Sequence, residues 1–255
     1  MRKVRRHTMQ TSFRVRGNTL IVDLGSRRSV LSSAPRAGGI TRARYILNHQ
    51  VAAKPIDIDG PDIGANARCA DPARTLSKLA TSLGICDKFV GLMTAVSLAD
   101  LVTVREANEN IWVEGFVTVG TSNAVRAGEA ATPKQHADSE THPGTINLIL
   151  VTNARLSASA MVGVVQVATE AKTAVLLRAK VKSWTGRSGA TGTGTDAVVV
   201  VSGEGPPQRY SGTHTIFGEL VGRAIETAVA EGLDRYARWQ VRRAVSRPIK
   251  SSHDV

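Results

Sequence analysis

Aromatic residues make up only 4% of this 255-residue chain, cysteine occurs twice, and apolar runs are short. Each scarcity excludes something. So few rings leave little material for base-stacking platforms, and the core has to be built from Val, Leu, Ile and Ala, which suits strands packed under helices. Cys69 and Cys86 cannot make a disulfide framework, and neither has a second Cys or a His at metal-ligand spacing. Both therefore read as small core or helix-end residues of a reducing compartment, and no metal site is expected. The longest clean apolar runs, Leu148 to Val151 and Ala197 to Val201, fall short of a membrane span, and the basic N-terminus lacks the apolar stretch of a signal peptide. A soluble cytoplasmic protein without a membrane partner is the expectation. There is also no internal repeat and no Pro/Ser-rich linker in the middle, so one domain is expected.

Positive charge is plentiful, at a formal +12, but it sits at the ends. Residues 1–28 hold eight Lys/Arg against Asp23, residues 235–255 hold six against Asp254, and the body between carries 19 of each sign. Basic tails around a neutral body are solvated arms rather than a readout surface, so no specific nucleic-acid partner is expected. The chain divides into a basic arm with the first strand (1–18), a single domain (19–234) and a basic helix end and tail (235–255).

Periodicity supplies the elements. Phe13 to Arg16 and Thr19 to Leu24 flank Gly17-Asn18, a two-residue hairpin turn. Val30-Leu31 leads into a small-residue loop, and Ala43 to Asn48 reads as a strand. Asp71-Pro72 starts a helix with Leu76, Leu79, Ala80 and Leu83 on one face, stopped by Gly84. Phe89 to Val96, Leu101 to Val104 and Trp112 to Val119 read as strands, and Gly120 to Pro143 as a polar loop. Ile146 to Thr152 is a strand buried on both faces, Ser157 caps a long helix, Ala197 to Ser202 is a second buried strand, and a last helix runs from about Ile216 past Arg235. The fold class is α+β, a layered αββα-type sandwich of mixed sheets covered by helices.

The chemistry concentrates between Gly144 and Ser202. Gly189 to Asp196 has the glycines of a phosphate loop, but such a loop follows a strand and opens a helix, and here a helix precedes and a strand follows. Nucleotide binding is therefore not expected. The loop offers approachable backbone amides, the hydroxyls of Thr191, Thr193 and Thr195, and the Asp196 carboxylate, an inventory for holding an oxyanion and moving protons. Thr145, after Pro143-Gly144 and at the head of a buried strand, stands where a hydroxyl is rigidly placed yet reachable. A Thr needs a base to attack, and a chain cut before the Thr supplies its α-amino group. A strand-initiating Thr is the plain alternative. Among the histidines, His142 lies near Thr145 and His214 starts the last helix, while the i,i+5 spacing of His214 and Glu219 gives no zinc pair.

Seven segments in order resemble the adenosylcobinamide amidohydrolase family: Val30 to Pro35 with Gly38-Gly39, Gly91 to Ser97, Thr121 to Gly128, Gly144 to Asn147, Ala168 to Ala174, Thr191 to Asp196, and Tyr210 to Thr215 with Gly218 to Leu220. The resemblance spans about residues 20 to 232. It implies hydrolysis of the amide joining aminopropanol to the corrin ring of adenosylcobinamide, giving adenosylcobyric acid in cobalamin salvage. The adenosylated corrinoid is then the substrate, and no other cofactor is implied. Carried onto these segments, Ser32, Ser33, Met93, Thr94, Gly192, Thr193, Gly194 and His214 become substrate-binding candidates. A fainter likeness, from Gly144-Thr145-Ile146 to Thr195-Asp196, is to self-cleaving β-aminopeptidases and ornithine acetyltransferases, with an αββα fold and an N-terminal Ser or Thr nucleophile. By position it implies Thr145 as nucleophile, Thr195 and Asp196 as its proton-network partners, and Asn123 as oxyanion donor or orienter. A non-catalytic corrinoid binder, an amidase acting on another amide, and a homo-oligomer all remain open at this level.

Overall fold

A computed structural model describes residues 9–51, 71–130 and 144–245. The Gly17-Asn18 turn forms as its composition requires, with Gly17 at φ +56°, a value that costs glycine nothing. It joins β1 (Ser12–Arg16) to β2 (Thr19–Ser32) in antiparallel register, Arg16 opposite Thr19. β2 is far longer than its first apolar run suggests. It pairs with β3 (Gly39–Gln50) on both sides of an irregularity between Asp23 and Arg28, where the exposed Gly25 takes φ +76°. That bend lets one strand serve two layers.

Beyond the bend, Val30 to Ser32 pair with β11 (Ala197–Val201), which lies parallel to β8 (Ile146–Thr152); antiparallel β6 (Ile111–Val119) and β5 (Val102–Asn108) follow. Before the bend, β2 pairs with β3, and β3 runs parallel to β4 (Phe89–Thr94). All these strands form one hydrogen-bonded eight-stranded sheet, ordered β4-β3-β2-β11-β8-β6-β5 with β1 beside β2.

Alternation along the strands shows how it folds over. Leu20, Val22, Ile46, Val90 and Leu92 share one apolar cluster with Phe116, Ile149, Val151, Val199 and Val201, so the two halves face each other. The alternate residues Ile146, Leu148, Leu150, Val198 and Val200 turn outward to the helices α2 (Ala158–Arg178) and α3 (Ile216–Val245). On the opposite outer face, Ile21 and Leu47 meet Ala80 of α1 (Pro72–Ser82), which Asp71 caps by accepting from Arg74 N. The layers are thus αββα, as expected, with the refinement that a single folded sheet supplies both middle layers.

α2 starts on Ser157, whose Oγ accepts from Ala160 N. By length and hydropathy α2 reaches the range of a membrane span, which inspection of uninterrupted apolar runs does not reveal. Its burial accounts for that character: Met161, Val164, Val167, Ala168, Val175 and Leu176 pack within the helix–sheet core. Each such side chain contributes about 1.5–3 kcal/mol.

The described parts of the two ends outlined from the charge distribution, residues 9–18 and 235–245, are continuous with the sandwich. Gln10 N and Thr11 N donate to the buried Glu114 carboxylate, and β1 is a sheet strand. At the other end α3 runs unbroken through Arg235, which donates to Leu101 O and pairs with Glu231.

Candidate active site

The parallel pairing of β8 and β11, with Ala197 opposite Asn147, brings the residues preceding each strand to the same end of the sandwich. Thr145, only 5% exposed, thereby meets Thr195, their hydroxyl oxygens 2.8 Å apart. Thr195 Oγ1 also donates to Gly144 O at 3.2 Å. A hydroxyl has one hydrogen to give, so Thr195 accepts from Thr145 in that arrangement. The carbonyl of Thr145 is held in turn by Gly120 N at 3.0 Å.

Asp196 faces the opposite way, toward α2. Its Oδ1 accepts from Ile146 N (2.9 Å) and Thr193 Oγ1, and its Oδ2 accepts from Thr193 N (3.1 Å) and Lys172 Nζ (2.5 Å). Four donors occupy one carboxylate, and none is the Thr145 hydroxyl. Asp196 therefore fixes the head of β8 to the Gly192–Asp196 loop, and in this arrangement it is not placed to take a proton from Thr145 or from a water. The Lys172 and Asp196 side chains are only 8% and 14% exposed. They meet where Gly192 has no side chain: a Cβ there would lie 2.5 Å from Asp196 Oδ2 and 2.8 Å from Lys172 Nζ.

Asn123 comes from the loop leading into the short strand β7 (Ala124–Val125), which pairs with β10 (Gly192–Thr193). That pairing carries the Asn123 side chain between Gly144 and Gly194, the residues preceding Thr145 and Thr195. A Cβ on Gly144 would meet Asn123 Oδ1 at 2.7 Å and Ser122 N at 2.6 Å, so the chain entering Thr145 presses directly on this loop. Asn123 Nδ2 approaches the open side of Gly194, while its buried Oδ1 has no hydrogen-bond partner. An unsatisfied buried carbonyl oxygen costs about 1–3 kcal/mol, and among the described residues Asn147 Oδ1 is in the same state.

The remaining candidates separate into near and far. Ser33 is exposed beside the start of β11, its Oγ accepting from Val198 N, and Ser32 Oγ accepts from Ala34 N. Met93 and Thr94 close β4 at the same end. Met93 O accepts from Asn147 Nδ2, and Thr94 joins a fully buried network with Thr118, Asn48 and Asn147. Gly192 and Thr193 frame the ion pair, and Gly194 and Thr195 are exposed. His214 lies elsewhere. It precedes α3 next to Ser211, which donates to Ala160 O at the start of α2, whereas it is Tyr236, some twenty residues and roughly 30 Å along the helix, that reaches the Thr145 end. His142 and Cys69 fall outside the described residues, and Cys86 is exposed after α1. Lys172 was not among the sequence candidates, nor were Asn48, Thr118 and Asn147; one lysine within a helical repeat gives no signal until its partner is placed.

A cleft of about 140 Å³ adjoins the site, with Gly144, Gly120 and Ser122 in its wall. Gln50, Val51, Ala95 to Ser97 and Asp100 line one side, and Tyr236 and Trp239 of α3 the other. These two rings stack with centroids 5.6 Å apart. Burial raises the Tyr236 phenol above its ordinary pKa, against the smaller opposing effect of bonds to Ser122 and Gln240, so it stays protonated through the neutral range.

A buried Thr145 hydroxyl bonded to the exposed Thr195, a neighbouring asparagine and an adjoining cleft are an inventory that acyl chemistry can use. The sequence profile of the family described as adenosylcobinamide amidohydrolase matches residues 3–240. The chain belongs to that family. It is 31% identical over 232 residues to the adenosylcobinamide amidohydrolase of Methanosarcina mazei, covering 87% of this chain and 97% of that one. It is also 30% identical over 230 residues to an uncharacterised protein of Methanocaldococcus jannaschii, covering 84% and 85% respectively. Among solved structures, a β-aminopeptidase from a Burkholderia species aligns over 86% of this chain and 78% of its own, at 13% identity and TM-score 0.40. Membership makes this chain an amidohydrolase, and the Thr145 end is where its sandwich gathers hydroxyls, an ion pair and a cleft.

Proposed function

We propose that the protein hydrolyses the amide joining aminopropanol to the corrin ring of adenosylcobinamide, consuming one water and releasing adenosylcobyric acid and aminopropanol in cobalamin salvage. The reading rests on family membership and on one observation above the others: the buried Thr145 hydroxyl bonded to Thr195, with the Asn123 side chain beside Gly144 and Gly194, the residues preceding the two threonines. Thr145 Oγ1 attacks the amide carbonyl while Thr195 accepts its proton and hands its own to the scissile nitrogen, so that the hydrogen lost by the nucleophile is the one that leaves with the amine. The developing oxyanion is taken by Asn123 Nδ2 and the Gly194 amide, because Thr193 N is spent on Asp196. Asp196 and Lys172 hold this geometry. Collapse with protonation of the nitrogen expels the amine, and water then cleaves the acyl ester on Thr145. The balance closes with water alone, so no resident cofactor is invoked. The low cysteine content supports a cytoplasmic setting for the reaction.

Turnover of adenosylcobinamide by the purified protein to a product with one more carboxylate tests the reading. Intact corrinoid recovered after incubation overturns it, and a panel of peptide amides then asks whether another amide is the substrate. Stoichiometric corrinoid binding with no amine released points instead to a carrier. Denaturing mass analysis locates the base. Fragments of 144 and 111 residues place it on a freed Thr145 amine, and one intact 255-residue chain confines proton transfer to the Thr195 route.

A further inference from the structure

The cleft beside Gly144 lies on one flank of the candidate nucleophile. β8 has β11 on one side and β6 on the other. The Asp196–Lys172 pair and the exposed Ser33, Gly194 and Thr195 occupy the β11 flank, which is open. The cleft occupies the β6 flank, with Gly120 and Ser122 following that strand directly. An amide lying across Thr145 therefore has one half in the open and one half in a bounded space. A corrin ring with its adenosyl group is far too large for that space, whereas a short amine is a handful of atoms.

We infer that this cleft receives the amine half of the scissile amide, a short hydroxylated aliphatic amine, and pairs its ammonium form with Asp100. The inference rests on the proposed reaction, which requires a substrate with one very large half and one very small one. Asp100, half-buried at the end of a single 3₁₀ turn (Leu98–Asp100), brings a carboxylate to the lining. A free aliphatic amine is protonated at neutral pH, so the product carries a charge that the amide lacked. Tyr236 and Trp239 offer ring faces, which attract an ammonium and shelter an aliphatic carbon, since the Tyr236 hydroxyl is engaged with Ser122 and Gln240. Ser97, whose Oγ accepts from Ala99 N, can still donate to a substrate hydroxyl. The cleft thus holds the leaving amine better than the substrate amide, and release of the amine becomes a step that Asp100 slows.

The test is product inhibition in the full chain. Aminopropanol added to the adenosylcobinamide assay is expected to inhibit, with an inhibition constant at least ten-fold weaker in Asp100→Asn and in Trp239→Leu; n-propylamine, lacking the hydroxyl, is expected to inhibit less. Turnover with no inhibition, or with equal inhibition in wild type and both variants, overturns the inference and leaves the reaction standing. Absence of turnover overturns the proposed reaction instead. Calorimetric titration of aminopropanol into the wild type and Asp100→Asn then decides the cleft: binding that depends on Asp100 supports it, and no binding overturns it.

Discussion

Among the described residues, Glu114 and Asp196 each hold a cation with little exposure to solvent, and their surroundings differ. Glu114 accepts from Arg105, Gln10 N and Thr11 N, and its side chain is wholly inaccessible. Arg105 lies over the Trp112 ring, 4.9 Å from guanidinium carbon to centroid, and Phe116 packs between the layers one alternation along β6. Asp196 accepts from Lys172, Ile146 N and both donors of Thr193, at the open end of the sandwich and one residue from the Thr145–Thr195 pair. Both carboxylates have their lone pairs occupied by a cation and backbone amides. Burial and charge alone therefore do not mark chemistry; a neighbouring buried hydroxyl, an asparagine beside it and an adjoining cleft do. Glu114 fastens the N-terminal segment, and Asp196 shapes a site.

The comparison can be broken in several places. The largest effect is expected from Thr145→Ala, a fall in kcat of about 10⁴-fold, roughly 5 kcal/mol, with the folded spectrum retained. Near-normal turnover removes Thr145 as nucleophile and with it the contrast between the two ion pairs. Glu114→Ala strands Arg105 in the interior and is expected to cost about 3–5 kcal/mol of stability in denaturant titrations, with kcat of the folded fraction unchanged. A loss of kcat without a loss of stability would reverse the roles given to the two carboxylates. Lys172→Met leaves Asp196 without its cation. A kcat reduction of about 30-fold, near 2 kcal/mol, is expected with KM within about three-fold, because the pair holds groups that act after binding. An effect on KM alone moves the pair from positioning to substrate contact.

The smallest effect lies outside both pairs. His49 is half-buried against Thr19, and burial pushes its pKa below the ordinary 6.5. The unfolded chain then binds the proton first, so stability is fully present above about pH 6.5 and declines as the pH falls from there through the lowered folded value. Thermal melts in His49→Gln should lack that segment of the decline; an unchanged profile assigns it to other groups.

Most elements were legible because their signals are local. The Gly17-Asn18 turn, the Asp71-Pro72 start and the Ser157 cap each need only neighbouring residues. β2 was read short because Gly25, Ser26, Arg27 and Arg28 look like a loop; in the structure they form the bend, and exposure there suits a charged stretch. The two-residue strands β7 and β10 carry no periodicity, yet their pairing is what brings Asn123 beside Gly144 and Gly194. Thr145, Thr195 and Asp196 were legible as types at the heads of buried strands. Lys172 was not, since its helix shows the same lysine whether it faces water or Asp196. His214 misled because a helix start at one end of a long helix says nothing about which end of the sandwich holds the site.

The bend in β2 also constrains how the molecule is made. A strand shared by both layers means that the junction between them, Val30 against Val201, joins residues from opposite ends of the chain. The hairpin of β2 and β3 can form as soon as it leaves the ribosome, but the second layer is not hydrogen-bonded to it until the segment carrying β11 has emerged. Such long-range closure makes for slow folding and leaves an apolar sheet face uncovered during synthesis. The exposed Arg27 and the half-buried Arg28 beside it put like charges at the bend next to that uncovered sheet, and repulsion there guards it from pairing edge to edge.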